Sequence, residues 1–246
     1  MRGFADLQLK PHIEDTDQVE KLIKKASELG YRMVAMCLPT AIKQARIGHL
    51  RKICWDEKVD FVTRVNLAPR TAKELLRDLR RFRRSFEIIS VICHSKPVAR
   101  QAAKDRRVDL LTFPATGIRR RLFDRAEAEL ASHVLSRLEI EMAPLLSLNG
   151  FSRIRLLSSL RKESVIAKKF GVPVVLSSGA TDEYLMRAPR EYAALAGLFD
   201  VASSAALDAL SEGPFSLVER NREKLSPGYV APGIRVVKEG GRCPKV

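Results

Sequence analysis

The sequence predicts an α/β fold, a TIM-like β/α barrel of parallel strands with outer helices, and three observations carry that prediction. Short apolar runs alternate with amphipathic helical stretches from one end of the chain to the other. Seven or eight such units fit into 246 residues, an ordinary length for one barrel domain with a substantial core. The glycine fingerprints of the alternative, an open doubly wound sheet, are missing: no GxGxxG follows the first run, and no GxxxxGK(S/T) occurs anywhere.

The elements follow in order. Phe4 to Leu9 is the first apolar run, and Asp17 to Leu29 then places Val19, Leu22, Ile23, Ala26 and Leu29 on one helical face, closed by Gly30. Tyr31 to Cys37 and Val59 to Leu67 are the next strand candidates. Thr71 to Phe82 reads as a helix with Thr71 as N-cap and Glu74 as its capping-box partner. Further strands are expected at Phe86 to Cys93, Val108 to Phe113 and Leu138 to Ala143, and a long helix at Phe151 to Phe170 stops at Gly171. Val172 to Ser177 is too apolar and too short for a surface helix, which makes it a covered parallel strand. Ser177, Ser178 and Gly179 end it in a small-residue turn, where α/β proteins place function. A weaker last strand candidate lies at Leu198 to Val201. Residues 1–225 are expected to form the single barrel domain, and 226–246 a Pro/Gly-rich C-terminal extension.

Lysine and arginine number 44 against 29 acidic residues, giving a formal net charge of +15 spread along the whole length. Such a field attracts polyanions. No apolar run approaches the roughly 20 residues that span a bilayer, and no basic amphipathic helix adjoins one, which argues against a membrane. MRGFADLQLKPHIED is polar by its tenth residue, so a cytoplasmic protein is expected. Cys37, Cys54, Cys93 and Cys243 lie far apart without a CxxC pair and read as reduced thiols.

Chemistry-bearing patterns are sparse. His12, His49, His94 and His133 form neither HxH nor HExxH, and GxSxG is absent. Glu139 and Glu141 share one face of their strand, and Asp6 joins them if that face points inward. A charged layer paired with an inward Arg64 explains the same carboxylates without a cofactor. The alternative function is a stand-alone metal-dependent phosphoesterase using Asp6, Glu141 and His94.

The basic features are denser. Arg119, Arg120, Arg121 and Arg125 in IRRRLFDR open a helix and oppose its dipole, a cost an anion would offset. Arg70, Lys96, Arg100, Arg153 and Arg155 lie in or just after loops at the carboxyl end of the predicted sheet. Arg187 and Arg190 flank Pro189, whose ring stiffens the backbone before a helix. Arg187 is expected to grip a phosphate or a partner carboxylate with its planar fork, or alternatively to pair internally with Asp182 or Glu191. Converging on one rim, these cations suit folded RNA held by its phosphates. Aromatic residues, at 6%, are too few for a single-strand stacking platform.

FADLQL, LFDRAEAEL leading into LEIEMAPLL, VVLSSGA, LMRAPRE and NREKLSPGYVAPGIRVV together resemble, in order and spacing, the ribonuclease P protein component 3 family, whose eukaryotic relatives are the 30-kilodalton subunits. The likeness covers nearly the whole chain. It implies a distorted TIM-like barrel of the polymerase and histidinol phosphatase type, whose enzymatic members bind metals through histidines and acids. Where those enzymes carry HxH, this chain has Asp6, Leu7 and Gln8. The resemblance therefore implies a subunit without catalytic or metal-binding residues of its own, supporting removal of the 5′ leader from precursor tRNA. Its implied partners are the ribonuclease P RNA, which carries the magnesium, a small RRM-like protein subunit, other ribonuclease P proteins, and precursor tRNA through the holoenzyme.

Overall fold

Seven strands form one parallel sheet in chain order in the computed structural model, which describes residues 2–115, 123–231 and 234–236. They are β1 (Phe4–Leu9), β2 (Tyr31–Cys37), β3 (Asp60–Leu67), β4 (Ile88–Ile92), β5 (Leu110–Thr112), β6 (Arg137–Glu141) and β7 (Val174–Ser177). Helices α1 (Thr16–Glu28), α2 (Gln44–Asp56), α3 (Ala72–Phe82), α4 (Lys96–Ala103) and α5 (Arg125–Val134) connect the first six. Between β6 and β7 run α6 (Ala143–Ser147) and α7 (Gly150–Phe170), and after β7 come α8 (Pro189–Ala196), α9 (Ser203–Asp208) and α10 (Glu212–Leu225). A short antiparallel pair, β8 (Tyr229–Ala231) with β9 (Ile234–Arg235), ends the described chain.

Local chemistry sets most of these boundaries. The Asp15 carboxylate caps α1 by accepting from the Gln18 N–H, and Gly30 follows the helix at φ +90°, a conformation that costs glycine little. Thr71 caps α3 by accepting from Glu74, but the Glu74 carboxylate accepts from the Arg70 N–H rather than from Thr71, so the expected capping box is displaced by one residue. The expected strand at Leu198 to Val201 is not one. Its first residues form a 3₁₀ turn, Gly197–Phe199, which buries Phe199 and ends on Asp200 at φ +62°. A short apolar run fits either a strand or a buried turn, and periodicity does not separate them.

Among the described residues, closure is achieved without an eighth strand in this sheet. Ala209 and Leu210 lie between the outer edges of the sheet: the Leu176 N–H donates to the Ala209 carbonyl at 3.1 Å and the Ala5 N–H to that of Leu210 at 2.8 Å. At the other end, Gly179 N–H donates to Gln8 (2.9 Å) and Lys10 N–H to Ala180 (2.8 Å). Each edge strand thereby satisfies backbone groups that an open sheet would leave exposed.

The core has two compartments. An outer shell packs the helices on the strands, and a smaller inner cluster joins Ala5, Leu7, Met33, Ala35, Val62, Ile88, Leu110 and Val175 with Leu217 and Val218 of α10. Helix α10 thus plugs the amino-terminal end of the barrel. The register of β1 shifts between Asp6 and Leu9, and this irregularity brings both Leu7 and Gln8 to the interior.

Candidate nucleic-acid interface

Above the apolar inner cluster the barrel interior becomes polar. Arg64 of β3 is fully buried, and its two terminal nitrogens donate to both oxygens of the buried Glu139 of β6, each at 2.6 Å. The remaining guanidinium hydrogens go to the Leu7 carbonyl, the Gln8 side chain and Asn66. Thr112 and Ser177 add hydroxyl donors to Glu139. Burial opposes ionisation of Glu139, but Arg64 and these hydroxyls hold its carboxyl below the usual range. One layer higher, Glu141 accepts from Gln8 and from Lys10, each at 2.7 Å.

These bonds decide whether the expected acidic cluster fits a metal. Asp6 does not join the two glutamates: one of its oxygens accepts from the backbone N–H groups of Gln8 and Ser178, and the other is buried without a hydrogen-bond partner. Burial raises its pKa beyond what those bonds lower. His94 is exposed beyond the end of β4. Asp6, Glu141 and His94 are therefore not assembled into one centre, and among the described residues no three His, Cys, Asp or Glu groups could hold a metal ion. Glu139 is neutralised by Arg64.

The small-residue turn after β7 is not an open anion cradle either. Its amides are consumed in closure: Ser178 donates to Asp6, Gly179 to Gln8, and Ala180 to the Ser178 hydroxyl. Gly179 sits at φ +66°, and a Cβ there would meet Glu141 at 3.2 Å, so glycine is needed on both counts.

The predicted rim cations divide into two groups. Lys96 donates to Asp124 at 2.6 Å and to Glu127 at 3.0 Å, and Arg100 pairs with Glu127 at 3.5 Å. Burial and then Asp124 raise the pKa of Glu127, while Glu127 and then Lys96 hold the Asp124 carboxyl well below the usual carboxylate range. Arg153 folds back on the Leu148 carbonyl and Asn149 at the start of α7. Arg187 donates to the carbonyls of Tyr184 and Met186, and forms neither of the expected internal salt bridges, because Asp182 caps Tyr184 and Leu185 while Glu191 accepts from Ala188. Arg70, Arg125, Arg155 and Arg190 are exposed, and no ion pair or side-chain hydrogen bond engages their guanidinium groups among the described residues. Arg119, Arg120 and Arg121 lie outside the described residues.

Sequence reasoning missed a second basic region, at the amino-terminal end of the barrel. Arg83 and Arg84 follow α3, Arg106 and Arg107 follow α4, and Lys224 is in the last turn of α10. Together they line a groove of about 650 Å³. The signal was visible in RRFRRSF, KDRR and REK, but cations near helix carboxyl ends complement the dipole and look like ordinary surface.

A family model described as RNase P subunit p30 matches residues 3–226. Ribonuclease P protein component 3 of Methanosarcina mazei is 31% identical over 241 residues, spanning 96% of this chain and 96% of that protein. That of Methanosarcina barkeri is 35% identical over 249 residues, 96% of this chain and 97% of that protein. In fold, the chain is similar to one from a cryo-EM structure of archaeal ribonuclease P with mature tRNA, with a TM-score of 0.83 at 24% identity, covering 97% of this chain and 100% of that one.

Proposed function

Since the chain belongs to the RNase P subunit p30 family and is a protein subunit of ribonuclease P, we propose that it acts by binding and stabilising the catalytic RNA rather than by cutting RNA itself. One observation supports this division of labour. The polar interior of the barrel is closed on itself by Arg64 and Glu139, while unpaired cations are left on the outside. A carboxylate that already holds a bidentate guanidinium and two hydroxyls has no lone pair directed at a substrate.

Neutralising phosphate repulsion is the physical contribution such a surface makes to a folded RNA. In this reading the magnesium sits on the RNA, and a small RRM-like subunit, other ribonuclease P proteins and precursor tRNA meet this chain within the holoenzyme. Localisation follows the RNA and is cytoplasmic. No helix among the described residues is long and apolar enough to cross a membrane.

Reconstitution tests the reading. Precursor tRNA cleavage is assembled from purified RNA and proteins with and without this chain, and the chain is also incubated alone with precursor tRNA and magnesium. Omission is expected to reduce holoenzyme cleavage, and the isolated chain to release no 5′ leader. Leader removal by the chain alone that disappears in Asp6→Ala would establish the phosphoesterase instead.

A further inference from the structure

The groove at the amino-terminal end of the barrel gathers more cations than its described lining can pair. Its walls are the turn after α3, the turn after α4, and the end of α10 with Tyr229 of β8. Among the described residues, Asp109 is the one carboxylate lining it. Both of its oxygens are in use, one accepting from Arg83 at 2.5 Å and from the Ile89 N–H, the other from Arg220 at 3.1 Å. Arg107 is satisfied by Asp105. That leaves Arg84, Arg106 and Lys224, all exposed on the groove, with no ion pair or side-chain hydrogen bond among the described residues.

Like charges so crowded repel unless something neutralises them. At Lys224 partial burial first, and then Arg220 and Arg83, lower the pKa, while Asp109 acts in the opposite direction. An acidic counterpart from outside the chain would relieve this arrangement. Arginine forks at two positions and a point charge at a third, spread over a concave surface, match successive phosphates of a nucleic-acid backbone better than a single carboxylate.

We infer that this groove binds the phosphate backbone of the ribonuclease P RNA through Arg84, Arg106 and Lys224, making the amino-terminal end of the barrel an RNA face in addition to the carboxyl rim. The inference rests on the functional reading above and deepens it. The contact is to backbone rather than to bases, so it positions the RNA without reading its sequence.

The test compares three full-length proteins for binding the ribonuclease P RNA transcript, with precursor tRNA absent. One is the unchanged chain. The second carries Arg84→Gln, Arg106→Gln and Lys224→Gln. The third carries Lys21→Gln, Lys24→Gln and Lys162→Gln, exposed lysines on α1 and α7 whose loss lowers net charge equally. The groove variant is expected to lose at least tenfold in affinity near physiological salt, and its log–log salt dependence to flatten by roughly 2 to 3 as three phosphate contacts disappear. The lysine variant is expected to stay within about threefold of the unchanged chain, and melting temperatures of all three to agree within a few degrees. Equal losses in the two variants would overturn the groove and leave a diffuse electrostatic attraction. Undiminished RNA binding by the groove variant with loss of association to another protein subunit would overturn it in favour of a protein interface. If the unchanged chain itself fails to bind this RNA, the functional reading falls, and the groove with it.

Discussion

Two regions of this protein hold their cations under opposite rules. In the barrel interior Arg64 meets a carboxylate bidentately, and its other hydrogens are also accepted. In the groove below α10, Asp109 serves Arg83 and Arg220 while Arg84, Arg106 and Lys224 go without. The difference follows from solvent. A buried guanidinium without a counter-ion costs several kcal/mol, so the interior tolerates none, whereas water screens the groove cations enough to leave them available for a ligand. Matched charge marks structure here, and unmatched charge marks the surface proposed to bind RNA. The carboxyl rim contains both kinds within a few residues of each other.

The comparison breaks most visibly at Glu139. Glu139→Gln strands Arg64 in the interior and is expected to destabilise the fold by about 3–5 kcal/mol, measured by denaturant unfolding at pH 7. The sign with pH is fixed. Because the folded-state pKa of Glu139 is lowered, its contribution is present above the unfolded value, roughly 4.3, and is lost as pH falls through the lower folded value. The gap between variant and parent should therefore narrow in acid. A loss below about 1 kcal/mol would mean that the pair is not the keystone of the interior.

Asp6 is the interior carboxyl that breaks the rule, since one oxygen is buried without a partner and burial raises its pKa. A raised acid contributes most below its unfolded pKa of roughly 3.9, and this contribution is lost as pH rises through the folded value. Asp6→Asn keeps an oxygen acceptor for the Gln8 and Ser178 N–H groups and removes the charge. It is expected to raise the melting temperature by a few degrees at pH 7 and to flatten its dependence on pH from that side. A lower melting temperature across the whole range would show that the ionised form is matched by something other than these two N–H groups.

The smallest effect sharpens the distinction along the rim. Lys96→Gln removes a part-buried pair and is expected to cost about 1 kcal/mol of stability with little change in RNA affinity, whereas exposed, unpaired Arg155→Gln should change affinity and leave stability within about 0.5 kcal/mol. Thermal melts and RNA titrations on the same samples check both. The reverse pattern would dissolve the link between pairing and role.

Much of the fold was legible in sequence because its signals are local. The face of α1, the stop at Gly171 before β7 and the Thr71 cap involve residues within a turn or two of one another. Barrel closure was not legible. Ala209 and Leu210 do their work as backbone acceptors, which any residue offers, so no residue type marks the place. The candidate site was legible as a chemical class, a basic surface without an HxH pair, and not as a set of residues. Arg187 illustrates the limit: a stiff backbone beside Pro189 signals a held side chain, but the holders turned out to be the carbonyls of Tyr184 and Met186 just before it in the chain.

The sequence alone determined the alternation of strands and helices, the excess of positive charge, and the family resemblance, because periodicity, composition and ordered motifs can be read along the chain. Tertiary structure alone decided which cations are spent and which are free. Counter-ions come from afar: Glu139 is 75 residues from Arg64, Asp109 is 111 from Arg220, and Asp60 is 162 from Arg222. Coulomb attraction depends on distance in space, and only the closed barrel converts those separations in sequence into contacts.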